Sequence, residues 1–408
     1  MDTIKLCLIT PEFLPIWGGA GTYAVELVRH LPKDIEIHVV TPNRERFDGQ
    51  KVSSSDYDFA EYFGNNVRIH FVSRATDTFF YNAHFQSACL KYVPRLVKKE
   101  GIDIVHYAHH FAGLLLELER LNIPAVTTIH NTFQGQREGT KMSGMSFGDL
   151  EFSEKAEYLT YPLFRLTEII YFLKARNYIT VSNWMKRQLQ SQYLKLNYCP
   201  ISVTHNSVDT KLFSPSKEEK SPERDLILFT GRIIAAKGIR YLVEAIPRVL
   251  REYPEALFVF IGAGNYSPYQ RLLKDMRIPE ENFAFLGYLK GWNELIKYYR
   301  ACSVYVAPTT LWENLPIRVL EAMGCGAPVI ASNICALPEV IDSGLDGILI
   351  TPGSVNELVN SICALLSDRS LRRKMGDNAR KKVLKKFDWD VNAIHTVKVY
   401  QSILERAP

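Results

Sequence analysis

Residues 308–332 read PTTLWENLPIRVLEAMGCGAPVIAS, and how this run is read decides the fold. A β-rich segment, 303–306, leads into it and stops at Pro308. A helical pattern follows over 316–323, with Pro316 placed where a first turn tolerates a missing N–H. Gly324 and Gly326 end the helix, and a second apolar strand runs over 328–331. Strand, loop, helix, strand is the repeating unit of a parallel sheet. There the loop leaving a strand's carboxyl end lies on the ligand side, and helix N-termini present free N–H groups. Glu313 falls in that loop and Glu321 inside the helix. Glu313 suits the hydroxyls of a bound polyol. Glu321, among Val319, Leu320, Ala322 and Met323, needs a partner if it faces inward, and a vicinal diol such as a ribose offers two donors. The other reading makes both of them surface carboxylates on a solvated helix face.

The same unit recurs upstream. Residues 226–230 form an apolar strand, followed by Gly231-Arg232-Ile233-Ile234-Ala235-Ala236-Lys237-Gly238 and a helical pattern over 239–250. Two cations thus flank a strand-to-helix turn, where backbone N–H groups already favour an anion. Arg232 offers a planar fork to phosphate oxygens and Lys237 a point charge. The strand 256–261 ends in Gly262-Ala263-Gly264, a close-approach turn, and the strand 283–286 ends in Gly287-Tyr288-Leu289.

The first half repeats the alternation. An apolar strand, 4–10, precedes a loop with Gly18, Gly19 and Gly21 and a helical pattern over 22–31, an order that lets backbone approach a phosphate or sugar. Further strands are expected at 35–41, 67–73, 102–107, 125–130 and 178–182, with helical patterns between most of them, which argues for doubly wound parallel sheets. Residues 56–64 are expected to be irregular, 133–157 to form a long loop, 158–174 a helix and 214–225 a polar linker. His106, His109 and His110 cluster after one strand and His130 closes the next; their spacing is not that of a zinc site, and no metal is expected.

At 408 residues the chain exceeds one ordinary core, so two domains are expected: 1–213 together with a returning helix 388–408, and 214–387. The 47% hydrophobic and 23% charged residues are the balance of a globular protein. A net charge of +5 fits an anionic ligand better than nucleic acid. The seven scattered cysteines lack any C-x-x-C pair and read as reduced thiols of a cytoplasmic protein, and neither a spanning helix nor a signal peptide is expected. The aromatic and basic patterns over 79–99 and 158–174 suit either core packing or peripheral contact with a lipid surface, here the inner membrane face.

Glu313 and Glu321, with seven residues between them, resemble the signature of retaining glycosyltransferases of the family 4 type (glycosyl transferases group 1), which have the GT-B fold. The Gly-Arg, four residues, Lys-Gly run at 231–238 matches the same family, as do His130 at a strand end and Gly287-Tyr288-Leu289, and residues 202–215 resemble its Asn-Gly-Val-Asp segment before the second domain, with Ser207 replacing Gly. The resemblance covers nearly the whole chain. It departs after Glu313, where Asn314-Leu315-Pro316 replaces the usual aromatic-Gly, and at Asn131, where an acid is common. It implies two Rossmann-like domains facing across a cleft, with the C-terminal helix crossing back to the first. It further implies a nucleoside diphosphate sugar donor, UDP- or GDP-linked, and a sugar or lipid-linked acceptor, with no cofactor and no metal. His130, Glu313, Arg232 and Lys237 would serve catalysis. Gly18, Gly19, Arg232, Lys237, Gly264, Leu289, Glu313, Leu315, Pro316, Ile317 and Glu321 would bind the donor, Glu321 through the ribose and Leu289 beside the base. The expected activity is hexosyl transfer with retention in glycan, glycolipid or polysaccharide synthesis. A sugar phosphorylase, a nucleotide-sugar epimerase and an inactive nucleotide-sugar-binding subunit share the architecture and remain alternatives.

Overall fold

The computed structural model describes residues 3–14, 19–47, 50–51, 53–54, 58–75, 81–109, 116, 121–216, 224–289, 291–310 and 314–407. The chain divides into two compact units. Unit 1 comprises Met1–Thr132, Pro162–Ser207 and Trp389–Pro408, and unit 2 comprises Phe133–Tyr161 and Val208–Asp388. The assignment of Phe133–Tyr161 to unit 2 differs from the division expected from sequence, and its cause is a set of hydrogen bonds described below.

Unit 1 is built on a seven-stranded parallel sheet. Its strands are β1 (Lys5–Ile9), β2 (Glu36–Arg44), β5 (Val67–Ala75), β6 (Ile104–Tyr107), β7 (Ala125–Ile129), β8 (Tyr178–Thr180) and β9 (Ile201–Val203), in the order β5-β2-β1-β6-β7-β8-β9. A short hairpin, β3 (Arg46–Phe47) with β4 (Gln50–Lys51), stands apart. β1 is a near-continuous apolar run because both faces of a central parallel strand are covered; Leu6, Cys7, Leu8 and Ile9 are fully buried. The terminal helix Trp389–Leu404 packs on the helix Gly19–His30 within this unit, as expected of a returning helix. Residues expected to be irregular instead hold a short helix, Phe59–Phe63, because the Asp58 carboxylate accepts from the backbone N–H groups of Ala60 and Glu61.

Unit 2 carries a six-stranded parallel sheet of β10 (Leu226–Thr230), β11 (Leu257–Ile261), β12 (Phe283–Phe285), β13 (Val304–Ala307), β14 (Val329–Ser332) and β15 (Ile348–Ile350), in the order β12-β11-β10-β13-β14-β15. The helix Ile239–Glu252 buries Ile239, Leu242, Val243, Ala245, Ile246 and Val249 against the sheet, one face at three- and four-residue spacing. Each of the Ile, Leu and Val side chains contributes roughly 1.5–3 kcal/mol by leaving water. Residues 133–157 are not a loop. They form the helix Phe133–Met142, a 3₁₀ turn at Phe147–Asp149 and the start of the long helix Phe152–Lys174.

None of the seven cysteines forms a disulfide. Among the described residues no helix is long and apolar enough to cross a membrane.

Candidate active site

Strand order reverses at the same place in both sheets. β1 lies between β2 and β6, and β10 between β11 and β13, so the chain winds outward in both directions from β1 and from β10. At such a switch point the loops after neighbouring strands diverge and leave room for a ligand.

In unit 2 these loops are fastened to one another by backbone. Gly231 N donates to Ile261 O (2.9 Å), Ile233 N to Ala263 O (2.8 Å), Gly262 N to Gly287 O (2.9 Å) and Thr310 N to Ala236 O (2.9 Å). Glycine is required at the crossings. A Cβ on Gly262 would stand 1.8 Å from Gly231 O, and one on Gly238 would stand 1.9 Å from Pro308 O. A Cβ on Gly264 would meet Ile233 O at 2.5 Å. The close approach read from Gly262-Ala263-Gly264 is therefore loop against loop, and it holds the 231–238 turn at the carboxyl edge of the sheet.

That turn presents Arg232, with an exposed side chain, and the half-buried Lys237. Between them Ala235 and Ala236 are buried, and their N–H groups are met by a carboxylate. Glu154, 6% exposed, accepts from Ala235 N at 3.2 Å and from Ala236 N at 3.4 Å. Glu151 stands 3.8 Å from the Arg232 guanidinium. Burial raises the Glu154 carboxyl above its ordinary value, against the pull of these N–H donors. Glu157, one helical turn on, is pushed up to about 7 by burial, opposed by the Arg232 charge. The N–H groups of the turn are thus bonded by a carboxyl group of the chain itself. None of these three glutamates was among the residues expected from sequence. Their spacing of three, which sets 151, 154 and 157 along one face as the helix begins, was the available signal.

Glu321 is fully buried, so the solvated-face reading fails for it. Its partners are internal: Arg318 donates to both carboxylate oxygens (3.0 and 2.8 Å), and Tyr299 Oη donates at 2.7 Å. Tyr299 also bonds Thr230 Oγ1 at the end of β10 (2.7 Å), which ties the helix Ile317–Gly324 to the switch point. Burial raises the Glu321 carboxyl, and Arg318 and Tyr299 oppose it. Pro316 is the N-cap of this helix rather than a residue of its first turn, and Ile317 opens the helix. Leu315, fully buried, has φ +68°, a conformation disfavoured for a branched side chain, at the point where the sequence departs from the family pattern. Leu289 is half-buried on the loop after β12. Glu313 and Gly18 lie outside the described residues.

In unit 1 the corresponding edge is held differently. His130 follows β7, bonds Ala108 O through Nε2 (3.0 Å) and meets the Tyr23 ring edge-on at 4.7 Å. His109 stacks on it at 6.0 Å between ring centroids. His106 is fully buried, bonded to Tyr400 Oη and Thr128 Oγ1, each at 2.7 Å. Burial lowers its pKa to about 3, so it is neutral and fastens the terminal helix to the sheet. His110 lies outside the described residues. Gly19 opens its helix in open space, where an added Cβ would meet nothing within 4 Å.

The comparisons agree with this architecture. Residues 17–212 match the family described as Glycosyltransferase Family 4, and residues 211–382 match Glycosyl transferases group 1. An uncharacterized glycosyltransferase of Methanocaldococcus jannaschii is 28% identical, over 98% of this chain and 99% of its own. The UDP-Gal:alpha-D-GlcNAc-diphosphoundecaprenol alpha-1,3-galactosyltransferase of Escherichia coli is 26% identical, over 94% of each chain. Anabaena HepE, solved in complex with UDP-glucose, superposes with a TM-score of 0.71 over 98% of this chain and 100% of that one, at 17% identity. The fold and the matched families define a glycosyltransferase of the GT-B fold. The chain belongs to the group 1, family 4 type, and is by class a hexosyltransferase.

Proposed function

We propose that the protein moves a hexosyl group from a nucleoside diphosphate sugar to an acceptor hydroxyl, with retention at the anomeric carbon, and that unit 2 holds the donor. The observation that carries this is the anion seat of the 231–238 turn, where buried N–H groups already grip a carboxylate between two cations. As the C1–O bond to the donor breaks, negative charge grows on the leaving diphosphate, and fixed donors aimed at it lower the barrier. Arg232 meets two oxygens with its fork and Lys237 adds a point charge, so the charge is neutralised without a metal. Glu313 orients the transferred sugar and His130 stands beside it, with retention by attack on the face the diphosphate leaves. Glu321 takes the ribose, in competition with Arg318 and Tyr299; Leu289 borders the base, and the 262–264 and 315–317 backbone lines the donor. The E. coli relative's lipid-linked substrate and HepE's UDP-glucose support a UDP-sugar donor and a glycan or lipid-linked acceptor. Exposed Leu159, Leu163, Leu166 and Leu173 along one helix support peripheral contact with the cytoplasmic membrane face for such an acceptor.

The test is a thermal-shift panel of UDP-, GDP-, ADP- and dTDP-sugars with and without EDTA. A ligand at a hundredfold excess over Kd adds about 2.7 kcal/mol to stability. A shift with one nucleotide class, unchanged by EDTA, is the expected result. No shift with any nucleotide would overturn the donor assignment, and loss of the shift in EDTA would overturn metal independence.

A further inference from the structure

The segment Phe133–Tyr161 leaves the sequence of unit 1 after Thr132 and packs wholly within unit 2. It is latched there at several points. Thr310 Oγ1 donates to Gly139 O (3.2 Å), Tyr241 Oη donates to Met142 O (2.9 Å), Arg240 donates to Gly144 O, and Arg271 pairs with Asp149. These bonds bring Glu154 onto Ala235 and Ala236, and Glu151 to Arg232.

We propose that this segment is a tethered anion mimic: Glu154 and Glu151 occupy the seat of the donor's diphosphate, and the donor enters by displacing them. The proposal rests on the donor reading of that seat.

Three observations favour exchange over permanent structure. The ligands of the seat are carboxylates, with the same sign of charge and the same oxygen chemistry as a phosphate but less charge, so a diphosphate competes on favourable terms. The latch bonds are mostly single contacts from half-buried Arg240 and Tyr241 and exposed Arg271, which contribute little each. The packing between the segment's own two helices, which docking holds together, is also incompletely satisfied. A cavity lined by Gln136, Arg137, Glu154, Glu157, Tyr158 and Tyr161 leaves Gln136 Oε1 and Arg137 Nε buried without a hydrogen-bond partner. Such orphaned groups raise the free energy of the docked state. A docked segment lowers apparent donor affinity by the fraction of molecules in which the seat is open, which sets a threshold on donor concentration.

The experiment titrates the full chain with UDP, GDP and ADP, and with inorganic pyrophosphate, by calorimetry. It compares the wild type, Glu154→Gln, the double variant Glu151→Gln/Glu154→Gln, and Arg232→Ala. Amide hydrogen exchange over 133–161 and at Ala235 and Ala236 is followed with and without the nucleotide that binds. The expected result is a Kd about threefold to tenfold lower in the double variant, an intermediate value in Glu154→Gln, and weakened binding in Arg232→Ala. Exchange over 133–161 rises in the wild type on nucleotide binding and is already high in the double variant. If a nucleotide binds the wild type and the double variant binds it no more tightly, or the segment stays protected in the complex, the mimic is overturned while the donor reading stands. If none of the four proteins binds any of these anions, the donor reading falls and the mimic with it. Binding by the double variant alone supports the mimic.

Discussion

The two units wind their parallel sheets alike and finish their ligand-side edges in opposite ways. At the edge of unit 1, polar side chains satisfy one another: His106 is neutral between Tyr400 and Thr128, and His130 is tied to Ala108 O. At the edge of unit 2, glycines let the loops cross, and the turn they hold carries two cations and buried N–H groups that bind carboxylate. Among the described residues the first edge is fastened by these bonds. The second sets two cations beside buried N–H groups, the kind of grouping that an anion-binding surface uses.

The largest effect that would test this contrast is steric. Gly238→Ala places a carbon 1.9 Å from Pro308 O at a backbone with φ +70°, and should cost about 3 kcal/mol or more. Gly19→Ala, in open space at a helix start, should change stability by less than about 0.5 kcal/mol. Urea unfolding midpoints of the two variants check this, and equal losses would break the distinction between the edges. Next, Lys237→Ala and Glu313→Gln should each lower turnover by about 10²-fold with the fold intact by circular dichroism. Near wild-type turnover in both would remove the catalytic role of the unit 2 edge. Smaller still, Tyr400→Phe leaves a His106 nitrogen buried with one partner fewer, at about 1–3 kcal/mol, and should free the terminal helix first. Hydrogen exchange in Trp389–Leu404 reads that directly, and unchanged protection would make the histidine cluster incidental.

The smallest effect is in pH, and its sign differs between the units. His106 in the fold has a pKa of about 3, below its usual 6.5, so under pH 6.5 the unfolded chain takes a proton that the fold refuses. Its contribution to unit 1 is present above about pH 6.5 and drains as pH falls toward 3; His70, lowered to about 4 mainly by burial, acts in the same direction. Glu157 in unit 2 is raised to about 7 from 4.5, so the fold keeps a proton that the unfolded chain releases. That contribution is present below about pH 4.5 and lost as pH rises through 7, and the raised Glu154 adds in the same sense. Between pH 7.5 and 5, local protection around β6 should fall while protection at the start of helix Phe152–Lys174 rises, after correction for intrinsic exchange. Parallel changes in both regions would refute the assignment.

Much of the fold was legible in the chain because buried parallel strands are continuous apolar runs. The strand at 226–230 is legible to the residue, and β1, β11, β13 and β14 within one. The segment 133–157 reads as a loop because the helix Phe133–Met142 carries three buried residues only, Phe133, Gly135 and Gly139, and two of these are glycines. Its packing face is small and polar, and periodicity sees only large apolar side chains. Glu321 shows the same limit at the site. Its apolar neighbours left an inward and a solvent-facing carboxylate both open, and nothing local could say that Arg318 and Tyr299 meet it inside.

What the sequence by itself determined is the sort of edge each sheet carries: glycines where backbones must cross, an Arg and a Lys flanking a turn, a histidine at a strand end. These follow from rules that act over a few residues, steric freedom and strand period. What only the tertiary structure decided is which groups meet at that edge. Glu154 stands 81 residues from Ala235 along the chain and bonds its N–H in the fold. Pairings at that distance depend on how whole helices pack, and no local pattern records them.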